Sequence, residues 1–141
     1  MTTYLGTPYE RGKTDLIVTR LVDAPVEEGL FVYESAENKV AKMTASKTPF
    51  GVMGLNEIAG ASVVVSGMKV KVQIETGSTP TVGGQVFIDA TSGKATTTET
   101  SNIATNATFA SATIEEDGVS NNTSTKSKNL KCVLINFAGG L

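Results

Sequence analysis

A pattern that recurs fifty-five residues along the chain limits what this protein can fold into more than any other feature. Residues 24–40 read APVEEGLFVYESAENKV, and residues 79–95 read TPTVGGQVFIDATSGKA. Pro25 aligns with Pro80, Gly29 with Gly84, and Phe31-Val32-Tyr33 with Val86-Phe87-Ile88. Glu34 then aligns with Asp89, Asn38 with Gly93, and Lys39 with Lys94. Each copy carries the chemistry of a turn, a short strand, a tight turn and the start of a returning strand. Two copies predict a scaffold built from two related β units, with shape and surface as its working parts.

The rest of the chain agrees with an all-β reading. Leu16-Ile17-Val18 and Leu21-Val22 form an apolar stretch closed by Asp23-Ala24-Pro25, and Val40 to Met43 reads as the second arm of a hairpin. Phe50-Gly51-Val52-Met53-Gly54-Leu55 is apolar but broken by glycine, which suits a bulged or closely packed strand. Met68 to Glu75 alternates cleanly. Met68, Val70, Val72 and Ile74 are expected on a buried face, with Lys69, Lys71, Gln73 and Glu75 on a solvent face. Phe109 to Ile114 is placed where Phe50 to Leu55 stands in the first copy, and Leu130 to Phe137 reads as a closing strand. Helical periodicity is lacking, apart from a short possible turn at Asn56-Glu57-Ile58-Ala59. The expected fold is a small antiparallel β-barrel or sandwich made of two related units, spanning residues 15–141 as a single domain. Residues 1–14 mix Tyr4, Leu5, Pro8 and Tyr9 with polar residues and predict an extended N-terminal arm. Residues 96–108 and 117–129, rich in Thr, Ser, Asn and Ala, offer little to bury, and Asp117-Gly118 to Lys128 reads as a long exposed loop between two strands.

Composition bears mainly on function. Histidine is absent, which removes the side chain most often used for acid–base work near neutral pH and the commonest metal ligand. A net charge of −2 gives no case for binding nucleic acid or an anionic membrane. No apolar run approaches the length of a membrane span, and the N-terminus lacks the apolar core of a signal peptide. Cys132, the single cysteine, lies on the apolar side of the last strand and is expected to be a buried, inert thiol. Glu115-Glu116-Asp117 lacks the ligand spacing of a calcium loop and reads as a solvated acidic turn. Gly83-Gly84 precedes a strand, so no helix N-terminus is there to hold a phosphate. The Asn-X-Ser/Thr triplets at Asn106, Asn121 and Asn122 are what a chain this rich in Ser, Thr and Asn produces by chance. Catalytic, cofactor-binding and metal-binding residues are therefore not expected, nor is enzyme activity. The candidate partner contacts are Tyr4, Leu5, Tyr9 and Arg11 in the arm and Lys69 and Lys71 on the alternating strand.

The strand and turns from Val70 to Lys94, with Thr79-Pro80-Thr81-Val82-Gly83-Gly84-Gln85-Val86-Phe87 and Asp89-Ala90-Thr91-Ser92-Gly93-Lys94, resemble the structural cement, or head-decoration, proteins of tailed bacteriophages. The small-residue stretch Phe109 to Ile114 and the final Lys131-Cys132-Val133-Leu134-Ile135-Asn136-Phe137 fit the same pattern, so the resemblance covers most of residues 62–141. It extends to the first half through the repeat, and the 117–129 stretch departs from it. The resemblance implies a virion protein, made in the bacterial host cytoplasm, that clamps neighbouring major capsid subunits on the outer face of an icosahedral head. It further implies a homo-oligomer, dimer or trimer, with no cofactor. Two other readings remain open at this stage: a tail or fibre-base module, and a small β-barrel that binds a ligand or acts as an enzyme.

Overall fold

The computed structural model describes residues 8–10, 16–57, 60–112, 114–118, 130–138 and 141, and every regular element among them is a strand. β1 (Pro8–Glu10), β2 (Leu16–Val22), β3 (Phe31–Ala36), β4 (Lys39–Lys42) and β5 (Gly51–Glu57) lead into the long β6 (Gly60–Gln73). After it come β7 (Gln85–Ile88), β8 (Ala95–Thr96), β9 (Ile103–Phe109), β10 (Glu115–Gly118) and β11 (Leu130–Phe137). β-branched side chains dominate these segments, and they pack well on a pleated surface.

The strands close on themselves. β2 runs parallel to β4, and antiparallel pairings β4–β3, β3–β5, β5–β6 and β6–β2 complete a five-stranded barrel. Closure leaves no free edge within that ring. The C-terminal half of β6 then begins the same circuit again. Antiparallel pairings β6–β11, β11–β9, β9–β7 and β7–β8 lead to Ala95, which meets Ile74 through a parallel bridge. Ala95 is the repeat counterpart of Val40, which sits in the parallel pairing of the first ring opposite Val22. The two units are thus two rings of one topology joined through β6, and the repeat is deeper in the backbone than in the letters. Asn38 and Gly93 both take left-handed conformations (φ 59° and 76°), and at the same interval so do Ser46 and Ser101 (φ 68° and 62°). Gly and Asn reach that region at low cost, which explains the Asn-to-Gly exchange between copies.

Sharing β6 sets where the cores lie. Ala61 and Val63 belong to the first ring's interior with Val32, Val40 and Met53. Val64 faces the other way, on the side that continues as Val70, Val72 and Ile74 in the second cluster. That second cluster draws Phe31, Met43, Val52 and Val64 from the first unit together with Val86, Ile88, Phe109, Val133 and Ile135 from the second. Each fully buried aliphatic side chain contributes roughly 1.5–3 kcal/mol. Between the two stretches β6 bends at Lys69, whose φ of 51° lies in the left-handed region. Its N–H is taken by Asn136 Oδ1 at 2.7 Å, beside a register shift in β11 between Ile135 and Phe137. Because left-handed backbone costs a residue with a Cβ about 1 kcal/mol, Lys69→Gly should leave stability unchanged or raise it by up to that amount, measured by urea unfolding. The same change at a residue with ordinary strand geometry should lower it.

Several expectations need correcting. The face holding Lys69, Lys71 and Gln73 is not a solvent face: Lys71 is 5% exposed and Gln73 1%. The first unit covers Gln73. Gln73 Nε2 donates to Glu27 Oε1 (2.6 Å) and to the Glu28 carbonyl (2.8 Å), and Gln73 N–H donates to the Gly29 carbonyl (3.0 Å). Alternation marks two faces, but a neighbouring unit decides whether the polar one meets water. Met68, expected inside, is 40% exposed. Residues 96–108, which offer little to bury by composition, contain most of β9 (Ile103–Phe109), and β9 rather than Phe109 to Ile114 takes the place of β5. Thr105 and Ala107 are buried there, and the Thr105 hydroxyl donates to the Val86 carbonyl at 2.6 Å. Asn56 and Glu57 continue β5 rather than a helical turn, and Glu115 to Gly118 form a strand paired with β11 rather than a turn. The arm itself contributes β1, with Pro8 opposite Val70 and Glu10 opposite Met68. Cys132 is buried, as its strand position predicts.

Candidate interaction surface

Of the residues proposed as partner contacts, Tyr9 and Lys69 are set in register by the pairing of β1 with β6, between Pro8 opposite Val70 and Glu10 opposite Met68. Tyr4, Leu5 and Arg11 lie outside the described residues, and Tyr9 is the middle residue of β1. Lys69 is half-buried at the bend in β6, and Lys71 is enclosed. Neither lysine belongs to an open charged face.

Two grooves, one in each unit, were missed by sequence reading. The first, of about 520 Å³, lies between Tyr33-Glu34-Ser35 at the end of β3 and Ser46-Lys47-Thr48-Pro49-Phe50 before β5. The second, of about 280 Å³, is lined by Glu75 to Ser78 together with Asp89, Thr96, Thr98 and Asn102. At the repeat interval Glu34 corresponds to Asp89 and Lys47 to Asn102. Only these two pairs of lining positions correspond; Glu75 to Ser78, Thr96 and Thr98 build the rest of the second groove, so the two depressions differ.

The second groove is braced from within. Asp89 Oδ1 accepts the N–H groups of Thr91 (2.9 Å) and Ser92 (2.8 Å), and the Ser92 hydroxyl donates to Glu75. Asn102 accepts from the Ala90 N–H (3.3 Å) and donates to the Thr98 carbonyl (3.0 Å). The Ser92 amide above all, helped by the Thr91 amide and Lys94, holds the Asp89 carboxyl below its ordinary 3.8 against the opposing effect of partial burial. A depressed carboxylate stabilises the fold above its unfolded value, and that contribution is lost as pH falls through the folded value. Asp89→Ala should therefore cost about 1–2 kcal/mol at neutral pH, and the gap to the parent protein should narrow below the ordinary 3.8. Urea midpoints at the two pH values measure it.

The first groove is not braced in this way. The Lys47 ammonium stands 5.4 Å from the centre of the Tyr33 ring, and the Arg20 guanidinium stands 5.2 Å from that of Phe50. Elsewhere on the surface Leu16, Ile17, Leu21 and Met68 are exposed large apolar side chains on β2 and β6. Leu16 lies opposite Ser66, and Met68 lies two residues further along β6. Among the described residues no group of three or more carboxylate or thiol side chains is placed to hold a metal ion. Compared with known proteins, the chain matches no protein-family model and no curated sequence.

Proposed function

We propose that this protein is a capsid cement protein, which attaches to the outside of an expanded phage head and clamps neighbouring shell subunits. The observation that carries the reading is the packing of the two rings. Their interiors are filled by aliphatic and aromatic side chains such as Val32, Met53 and Val63 in one and Ile88, Phe109 and Ile135 in the other. A filled interior leaves recognition to the outer surface and the loops, and two rings sharing a continuous strand make a stiff body for holding a seam. Exposed Met68 lies opposite Glu10 of β1, with exposed Leu16 nearby opposite Ser66, and Ile17 and Leu21 add exposed apolar area further along β2. Many copies on one shell make modest contacts collectively strong, with gains of about 10²–10⁴ over one contact.

Purified protein added to expanded shells should bind to saturation at a fixed ratio per subunit and raise the temperature at which the shells rupture. Shells that neither bind it nor gain heat resistance would overturn the reading. Because Pro8–Glu10 pairs with β6, removal of residues 1–7 is the informative truncation. It should weaken attachment while leaving the unfolding midpoint unchanged; equal loss of both would remove the arm from the interface.

A further inference from the structure

We infer that the edge of β2 from Leu16 to Thr19 is where a second copy of this chain pairs its own β2, antiparallel, around a two-fold axis. β6 covers one side of these residues. On the other side β4 reaches only Leu21 and Val22, and among the described residues no strand lies beside Ile17 and Thr19. Leu21 turns its N–H away from β6, to the Asn38 carbonyl at 2.8 Å. Strand residues two apart point their backbone groups the same way, so Ile17 and Thr19 present N–H and C=O to the open side. The Thr19 carbonyl agrees, since it accepts from Arg20 Nη1 at 3.0 Å in an exposed bond.

The second unit shows what such an edge takes. Counting back along each first strand from its parallel closure, at Val22 in one unit and Ile74 in the other, sets Leu16 to Val18 in the place of Met68 to Val70. That stretch of β6 has β11 on one side and β1, an antiparallel strand, on the other. In the first unit no described strand fills the place of β1, and Leu16 and Ile17 are 51% and 38% exposed. Leu16 to Thr19 also carries no charge and no proline, the residues that keep strand edges from pairing. The register points to a second copy as the occupant. Centred on Val18, an antiparallel two-fold pair sets Ile17 opposite the second copy's Thr19 and uses every outward N–H and C=O of both residues. Centring on Ile17 would carry Thr19 past the start of β2, and centring on Thr19 would set Ile17 against Leu21, whose N–H is already taken. The Val18 register also sets Arg20 against Leu16, so no like charges face each other, and β-branched Ile17 and Thr19 meet as a cross-strand pair. The Thr19 carbonyl can keep Arg20 on its second lone pair. An interface this short is weak, with Kd of about 10–100 μM. This pairing goes beyond the cement reading and does not depend on it.

Sedimentation of the full chain from about 5 to about 500 μM should show monomer passing to dimer and to nothing larger, because two-fold pairing uses up the edge. Thr19→Pro removes an N–H that faces the open side, where an edge strand tolerates proline. It should weaken the dimer at least tenfold. Exposed Leu16 tests the register. Leu16→Glu would face the second copy's Arg20 and should tighten the dimer about threefold, whereas Leu16→Arg should weaken it about threefold. These two variants change an exposed side chain, so they keep the test valid if Thr19→Pro does not fold. Protein that stays monomeric at the highest concentration overturns the assignment. So does a dimer that folded Thr19→Pro leaves intact, or one that both Leu16 changes move in the same direction. The shell assay is read separately. Protein that dimerises through β2 but ignores shells overturns the cement function alone; protein that saturates shells yet remains monomeric in solution overturns the β2 pairing alone.

Discussion

Gly51→Ala should be among the most damaging single changes in this chain, lowering stability by about 3 kcal/mol and sharply reducing the yield of folded protein. Gly51 is buried in β5 opposite Val32. A Cβ there would lie 2.5 Å from the Val64 carbonyl oxygen and 2.7 Å from a Val63 methyl. The first of these is backbone in β6, the strand common to both rings, so it cannot swing aside as a side-chain tip can. Relief would have to come from separating β5 from β6, and that opens the first ring. The control is Gly77→Ala, in a turn where nothing lies within 4 Å of the new Cβ but φ is +87°. That variant bears only the left-handed penalty, about 1 kcal/mol. Urea unfolding of both variants gives the comparison; similar losses would mean that the close approach at Gly51 is soft.

Phe31→Ala should cost about 3–5 kcal/mol, the usual range for emptying a large buried aromatic site. Phe31 is fully buried and packs in the cluster that contains side chains from both units. Its N–H donates to the Gly93 carbonyl at 2.9 Å, and its carbonyl accepts from the Met43 N–H at 2.9 Å. The first of these bonds joins the first unit to the β7–β8 turn of the second. The void would open at the seam, so the two rings should lose stability together. All three tyrosines (Tyr4, Tyr9 and Tyr33) fall in the first quarter of the sequence and the chain has no tryptophan, so tyrosine emission reports on that region while circular dichroism reports on all strands. Coincident transitions, both displaced to lower urea, are expected. A tyrosine transition that moves alone would show the rings to be energetically separate.

The all-β fold and its division into two related units were legible from the repeat and from β-branched residues between turn signals. Val40 and Ala95, matched letter by letter across the repeat, do hold the two parallel closures. Less legible was anything that depended on what a strand packs against. Met68 to Glu75 alternates as a half-exposed strand would, yet Lys71 and Gln73 are buried, and residues 27–29 fold over Gln73. β9 was hidden by its composition, since Thr105 and Ala107 look like loop residues until the pairing of β9 with β7 and β11 is known.

The grooves were illegible for a related reason. Tyr33 and Lys47 are fourteen positions apart, and Arg20 and Phe50 thirty; neither spacing signals a contact in a strand or a helix. Only ring closure sets them face to face. What was available in the letters was the departure between copies, Lys47 against Asn102 and Phe50 against Thr105, but beyond residues 40 and 95 the sequence reading set Phe50 against Phe109, out of step with the fifty-five-residue interval. The matching left-handed pairs at Asn38 and Gly93 and at Ser46 and Ser101 carry it further.

Local chemistry by itself determined the strands, the turns and the two-unit plan, because backbone preference and period-two burial act over a few neighbouring residues. Tertiary structure decided the sharing of β6, the burial of its lysine face and the pairing of cations with rings. Those outcomes depend on contacts between segments far apart in sequence, where closure geometry and excluded volume, rather than local preference, select the arrangement.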